Sequence, residues 1–175
     1  YVQALPKKTI EYEKNIDFIF TNEGVYSLRN VLRLKKIEKK ELSEIKGICF
    51  KYENKLIFTP PERIVPQENL DKDLPGYAWD LLPYKDKPLD LYRAHFWHAE
   101  FSHEKRTPFA AIYTSLGCNF ACDFCMINIV NRVDNADGIN ASNSRGMRFW
   151  SPEWVSREMD KLARLGVETL SLIHI

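Results

Sequence analysis

Cys118, Cys122 and Cys125 fall within eight residues, in the order Gly-Cys-Asn-Phe-Ala-Cys-Asp-Phe-Cys-Met, and this cluster constrains the chain more than any other feature. The run Phe109-Ala-Ala-Ile-Tyr-Thr-Ser-Leu116 leads straight into Gly117, so the first thiol is predicted to sit where a strand ends. That is where α/β folds place their sites. Count matters as much as spacing. A closed four-iron cluster takes four thiolates and a structural zinc takes four ligands, whereas three thiolates on one short loop hold three irons and leave the fourth open. The trio therefore reads as the ligands of an iron–sulfur cluster with one iron free for a cofactor or substrate.

Other readings of the same residues stay open at this point. Positions 118, 122 and 125 are also spaced as one face of a helix, which would make them a stripe of buried free thiols. Gly117, Asn119 and Asp123 suit a loop better. Zinc is a further reading, with His95, His98 or His103 as a fourth ligand. Those histidines alternate with aromatic residues between Tyr92 and His103, a pattern that suggests packing against a barrel mouth. A disulfide framework fits poorly, because Cys49 is distant and nothing marks the chain as secreted.

Composition sets broad limits. At 175 residues, 45% apolar and 28% charged, the chain is ordinary soluble globular material, long enough for one domain or parts of two. A net charge of +1 gives no electrostatic reason to expect a nucleic-acid partner. No apolar run approaches the roughly eighteen residues needed to cross a bilayer, and no charged-then-apolar leader opens the chain. A reducing cytoplasm suits exposed thiolates and an oxygen-sensitive cluster, so the expected location is cytoplasmic.

Along the chain, Lys7–Glu13 is a short helical candidate and Ile16–Phe20 an apolar strand. The stretch from Val25 to Lys36 predicts a helix with Val25, Leu28 and Leu32 on one face and lysines at its end. Ile45–Tyr52 and Lys55–Thr59 flank Glu53-Asn54 as a hairpin would, with Cys49 a structural thiol in the first strand. From Pro60 to about Pro88 the density of proline and charge reads as a linker, although Leu-Pro-Gly-Tyr-Ala-Trp-Asp-Leu-Leu-Pro, ending at Pro83, is apolar enough to be pinned to a surface.

Ile127–Arg148 is a polar excursion expected to be a mobile loop over the cluster; Arg132, Arg145 and Arg148 read as solvated charges, the alternative being contact with a carboxylate or phosphate of a substrate. A helix follows with its ends written in: Ser151 as cap, Pro152 in the first turn and Gly166 as terminator, with Val155, Met159 and Leu162 on its buried face. Val167–Leu170 opens a second strand, which predicts the first unit of a parallel barrel.

The CxxxCxxC spacing after a strand, with Phe124 immediately before the third cysteine, resembles the signature of the radical S-adenosylmethionine enzymes. The resemblance implies that Cys118, Cys122 and Cys125 bind a 4Fe-4S cluster, that the amino and carboxylate groups of S-adenosyl-L-methionine chelate its open iron, and that Phe124 is a cofactor contact near the adenine. It also implies an electron donor such as flavodoxin or ferredoxin and a small-molecule substrate. Reductive cleavage of the sulfonium then starts radical chemistry on that substrate, the protein holding the cofactors that do the hard chemistry.

The units further upstream extend the likeness. Ile16–Phe20 with Thr-Asn-Glu-Gly-Val-Tyr, then the hairpin, then the Leu-Pro-Gly-Tyr-Ala-Trp-Asp segment, are similar to the cobalamin-binding subfamily of these proteins. The subfamily places a Rossmann-like cobalamin domain before the barrel, and Glu23-Gly24 matches its acidic-glycine turn. Its Asp-x-His-x-x-Gly loop is absent and would lie upstream of Tyr1.

The expected fold class is therefore α/β, in three parts: the tail of a Rossmann-like domain over 1–59, a linker over 60–106, and the first β-loop-α unit of a partial TIM barrel over 107–175. The expected activity is a transferase reaction, cobalamin-dependent methylation in the intact protein. A radical enzyme without cobalamin, catalysing rearrangement, cyclisation or methylthiolation, and a non-catalytic zinc or iron module are the alternatives. No catalytic residue can be named, because the substrate pocket falls on later barrel strands.

Both ends read as cuts. The chain opens in mid-element, and Leu170–Ile175 matches the translation of a transposon-end adapter used in sequencing libraries, so native sequence is expected to stop near Thr169.

Overall fold

The computed structural model describes residues 2, 5–83, 108–120, 122, 133–134, 139–140 and 146–174, which divide into two compact units. One takes in Tyr1–Pro66 and Gly117–Gly146, the other Gln67–Leu116 and Met147–Ile175.

In the first unit the order is α1 (Pro6–Tyr12), β1 (Phe18–Phe20), α2 (Val25–Leu32), α3 (Lys39–Leu42), β2 (Ile48–Tyr52) and β3 (Lys55–Phe58). The strands form a sheet in the order β1-β2-β3, antiparallel throughout, with Phe18 opposite Phe50, Ile19 opposite Cys49, and Cys49 opposite Phe58. Glu53 and Asn54 both take positive φ, 46° and 62°, the two-residue turn whose twist matches that of the strands it joins. The run Ile48-Cys49-Phe50 is buried without interruption because both faces of β2 are covered. Alternation sends Ile48 and Phe50 toward Val31, Leu42 and Ile45, and Cys49 toward Ile10 and Ile19. Burial pushes the Cys49 thiol up to about 12. A short antiparallel ladder, β5 (Val133–Asp134) with β6 (Ile139–Asn140), also belongs to this unit's span.

Helix α2 turns a different face inward from the one its leucines suggest. Tyr26, Ser27 and Val31 are buried, while Leu28 and Leu32 are 45% and 72% exposed, and the helix ends before the lysines. Ser27 decides the rotation. Its hydroxyl donates to the Lys46 carbonyl at 2.8 Å, a bond that a leucine at this position would lose.

The second unit contains two 3-10 turns (Gln67–Asn69 and Trp79–Leu81), α4 (Leu70–Asp73), β4 (Phe109–Cys118), β7 (Gly146–Phe149), α5 (Pro152–Arg164) and β8 (Thr169–His174). Its sheet runs β7-β4-β8, and β4 pairs in parallel with β8, Phe109 beside Thr169 and Ile112 beside Leu172. Parallel neighbours need a crossover, and α5 supplies it. The predicted pair of parallel strands with a helix between them is thus present, with β7 as an additional strand before the helix.

Ser151 caps α5 as the sequence indicates, its hydroxyl oxygen accepting from the Trp154 amide at 3.1 Å. The buried face of α5 differs, however. It carries Trp154, Glu158 and Leu162, while Val155 is half-buried and Met159 is 38% exposed. A carboxylate inside the apolar stripe is tolerated because three donors meet it: Trp79 Nε1 at 2.9 Å, the Tyr77 amide at 3.3 Å, and Lys161 Nζ.

Those donors come largely from the segment that reads as a linker. Residues 67–83 belong to the second unit and are fastened along it. The Leu74 carbonyl accepts from the indoles of both Trp150 and Trp154 at 3.1 Å, and the two rings stack at 4.7 Å. Trp79 packs with Ala110, Ile112 and Leu162. The Tyr77 hydroxyl accepts from the Tyr113 amide at 3.2 Å, beside the irregularity in the β4–β8 register between Tyr113 and Ser115. Gly76, at φ +142°, lets the backbone pass where a Cβ would collide with the Glu158 carboxylate.

In the polar excursion after the cysteines, the described residues form β5, β6 and the start of β7. Strand β7 is secured by Gln67, whose side-chain amide both donates to the Phe149 carbonyl and accepts from the Phe149 amide, each at 2.8 Å. The chain is a mixed α/β protein whose two principal sheets have three strands each. Those sheets alone do not establish a Rossmann-like domain or a barrel. Among the described residues no helix is long and apolar enough to cross a membrane.

Candidate functional site

Strand β4 carries the chain to the cysteines. Its first half is buried at Phe109, Ala110 and Ile112, and it runs on through Gly117 to end at Cys118, two residues further than the sequence suggests. Gly117 takes φ +91°, a conformation that a side chain resists, so the backbone can leave the sheet at the point where the first thiol appears. Asn119 bends the chain and Phe120 leaves it exposed, its ring 76% accessible.

Cys118 is half-buried and Cys122 exposed, and both are free of disulfides. The Phe120 amide N–H donates to Cys118 Sγ at 3.4 Å. A backbone N–H facing sulfur is a common element around metal-bound cysteine. Cys118 lies in a strand and Asn119 in a bend, which removes the reading of the cysteines as one helical stripe. Cys125 and Phe124 lie outside the described residues, as do His95, His98, His103, Arg132 and Arg145. Arg148 is half-buried on β7. Among the described residues no group of three or more His, Cys, Asp and Glu side chains is gathered as a metal site. Two of the expected ligands, half-buried Cys118 and exposed Cys122, thus lie at and just past the end of β4, and neither is in a disulfide.

Glu23 and Gly24 are both employed by the fold of the first unit. The Glu23 carboxylate accepts from the Val65 amide at 2.8 Å, and Gly24 is the N-cap of α2, its amide donating to Asn22 Oδ1 at 3.1 Å. Across the same turn, Arg29 and Arg63 set their guanidinium groups over the ring of buried Tyr26 at 4.5 and 5.0 Å. Two groups here carry no sequence signal: the Phe120 amide, which is main chain, and Glu158, whose burial depends on a tryptophan far away along the chain.

No family model matches the chain. Over 125 residues, 71% of its length, it is 28% identical to an uncharacterized methyltransferase of Pyrococcus horikoshii. That stretch is 23% of the relative's own length, so the chain spans under a quarter of the protein it resembles.

Proposed function

We infer that this chain is part of a radical S-adenosylmethionine enzyme that transfers a methyl group, its cluster held by Cys118, Cys122 and Cys125. The observation that carries the reading is the delivery of Cys118 by β4 to a strand end, with a second cysteine, Cys122, exposed just beyond it. The residues fit the group: neither cysteine is in a disulfide, Cys122 is exposed, and a backbone N–H faces Cys118 Sγ. When bound, the cluster supplies a low-potential electron to the sulfonium of S-adenosylmethionine. Cys118, Cys122 and Cys125 hold three irons, and Phe124 is the adenine contact. The cysteine loop thereby fixes where the cofactor sits.

The likeness to an uncharacterized methyltransferase supports methyl transfer as the reaction class. Cobalamin is the methyl carrier in this reading. The substrate is a small molecule, the electron donor a flavodoxin or ferredoxin, and the location the reducing cytoplasm.

The test is anaerobic reconstitution of the complete protein. Iron and acid-labile sulfide are assayed, and S-adenosylmethionine is incubated with reductant and followed by chromatography. Four irons per chain and release of 5′-deoxyadenosine are expected. Stoichiometric zinc without 5′-deoxyadenosine would refute the enzyme and leave a structural metal module.

A further inference from the structure

We propose that the Phe120 main-chain amide is a positioning and tuning donor for the cluster, raising its reduction potential through Cys118 Sγ. This rests on the cluster reading given above. The bond joins Phe120 N to Cys118 Sγ at 3.4 Å, two residues apart. Two features make it a property of the backbone. The Phe120 ring is 76% exposed and contributes little packing, so the residue's position is fixed by the chain's path out of β4. That path is set by Gly117 at φ +91° and the bend at Asn119.

The electrostatic consequence has a definite sign. Uptake of one electron from a flavodoxin-type donor adds one negative charge to the cluster and breaks no bond, and part of that charge spreads onto the ligating sulfurs. An N–H dipole directed at one of them stabilises the reduced state more than the oxidised state. Its removal therefore makes the cluster harder to reduce.

The experiment removes the N–H and keeps everything else. In the complete, anaerobically reconstituted protein, Phe120 is replaced by its α-hydroxy acid, which converts the amide into an ester with the ring intact. Phe120→Pro removes the same hydrogen by another route, and Phe120→Ala keeps the amide while deleting the ring. Midpoint potentials are read by redox titration with electron paramagnetic resonance detection, after iron and sulfide assays. The ester is expected to lower the reduction equilibrium constant three- to tenfold, up to 59 mV for one electron at tenfold, while the alanine variant matches the parent.

An ester variant with full iron content and an unchanged potential overturns the proposal and leaves the cluster reading standing. Absence of iron and sulfide from the parent protein overturns both. If the proline variant fails to load, the ester variant alone decides. An alanine variant shifted as far as the ester would assign the effect to the ring and also refute the proposal.

Discussion

Glu158 offers the most demanding test of how the second unit is held together. Its carboxylate is 1% exposed, and Oε2 accepts from both the Trp79 indole and the Tyr77 amide, while Oε1 meets Lys161. Glu158→Ala leaves the indole and the amide without an acceptor in a site that water does not reach. A stranded buried donor costs about 1–3 kcal/mol, with the 3.3 Å amide bond at the low end. The side-chain atoms removed leave a cavity worth about 1 kcal/mol more. Lys161, with a side chain 47% exposed, returns to water at a cost below about 1 kcal/mol.

The expected loss for Glu158→Ala is therefore about 3–5 kcal/mol. Glu158→Gln keeps one carbonyl oxygen for Trp79 and Tyr77 and gives up only charge toward an exposed ammonium, so its cost is about 1 kcal/mol. All four tryptophans, Trp79, Trp97, Trp150 and Trp154, fall in the span of the second unit, so urea titration followed by tryptophan fluorescence reports on it selectively. A Trp79→Phe background removes the indole donor, and Glu158→Ala should then cost about 1–2 kcal/mol less than in the parent. The reasoning fails if Glu158→Ala lies within about 1 kcal/mol of the parent, or if glutamine is as damaging as alanine.

Other expectations follow from the same geometry. Ser151→Ala removes the oxygen that accepts from the Trp154 amide and the hydroxyl that meets Asp71, and should destabilise the second unit by about 1–2 kcal/mol in the same titration. Tyr77→Phe deprives the Tyr113 amide of its acceptor, with an expected cost of about 1 kcal/mol. The Cys49 thiol is raised from 9.0 to about 12, so its contribution is complete below pH 9 and is lost as pH rises toward 12, where unfolded thiol ionises first. Melting curves of the parent and Cys49→Ala should therefore converge across that interval. An unchanged gap between them would show that burial does not control this thiol. After removal of metal with a chelator under otherwise native conditions at pH 8, iodoacetamide should label Cys118 and Cys122 and spare Cys49, as peptide mapping can establish.

Features written in neighbouring residues were legible in the sequence. Ser151, Pro152 and Gly166 mark the ends of α5 because caps act within a turn, and Glu53-Asn54 names its own hairpin. The rotation of α5 was not legible. Counting apolar residues favours Val155 and Met159, whereas the inward place of Glu158 depends on an indole 79 residues away. The same limit hid β7, whose Phe149 is held by Gln67 across 82 residues. The proline-rich stretch was half legible. Its apolar tract foretold attachment to a surface, but only the two indoles on the Leu74 carbonyl reveal where it is fastened. At the site, the sequence located Cys118 and Cys122 at the close of a strand, and the amide facing sulfur is main chain that side-chain patterns cannot disclose.

The grip of Gln67 on Phe149 has a consequence for how copies of this protein meet in a crowded solution. An outermost strand with idle main-chain groups is a template on which a second polypeptide can assemble. A carboxamide is a peptide group in miniature, and here it fills the docking position at Phe149 that a stranger's backbone would need. A single glutamine thus acts as a stopper on that margin, keeping the sheet from growing past its own molecule.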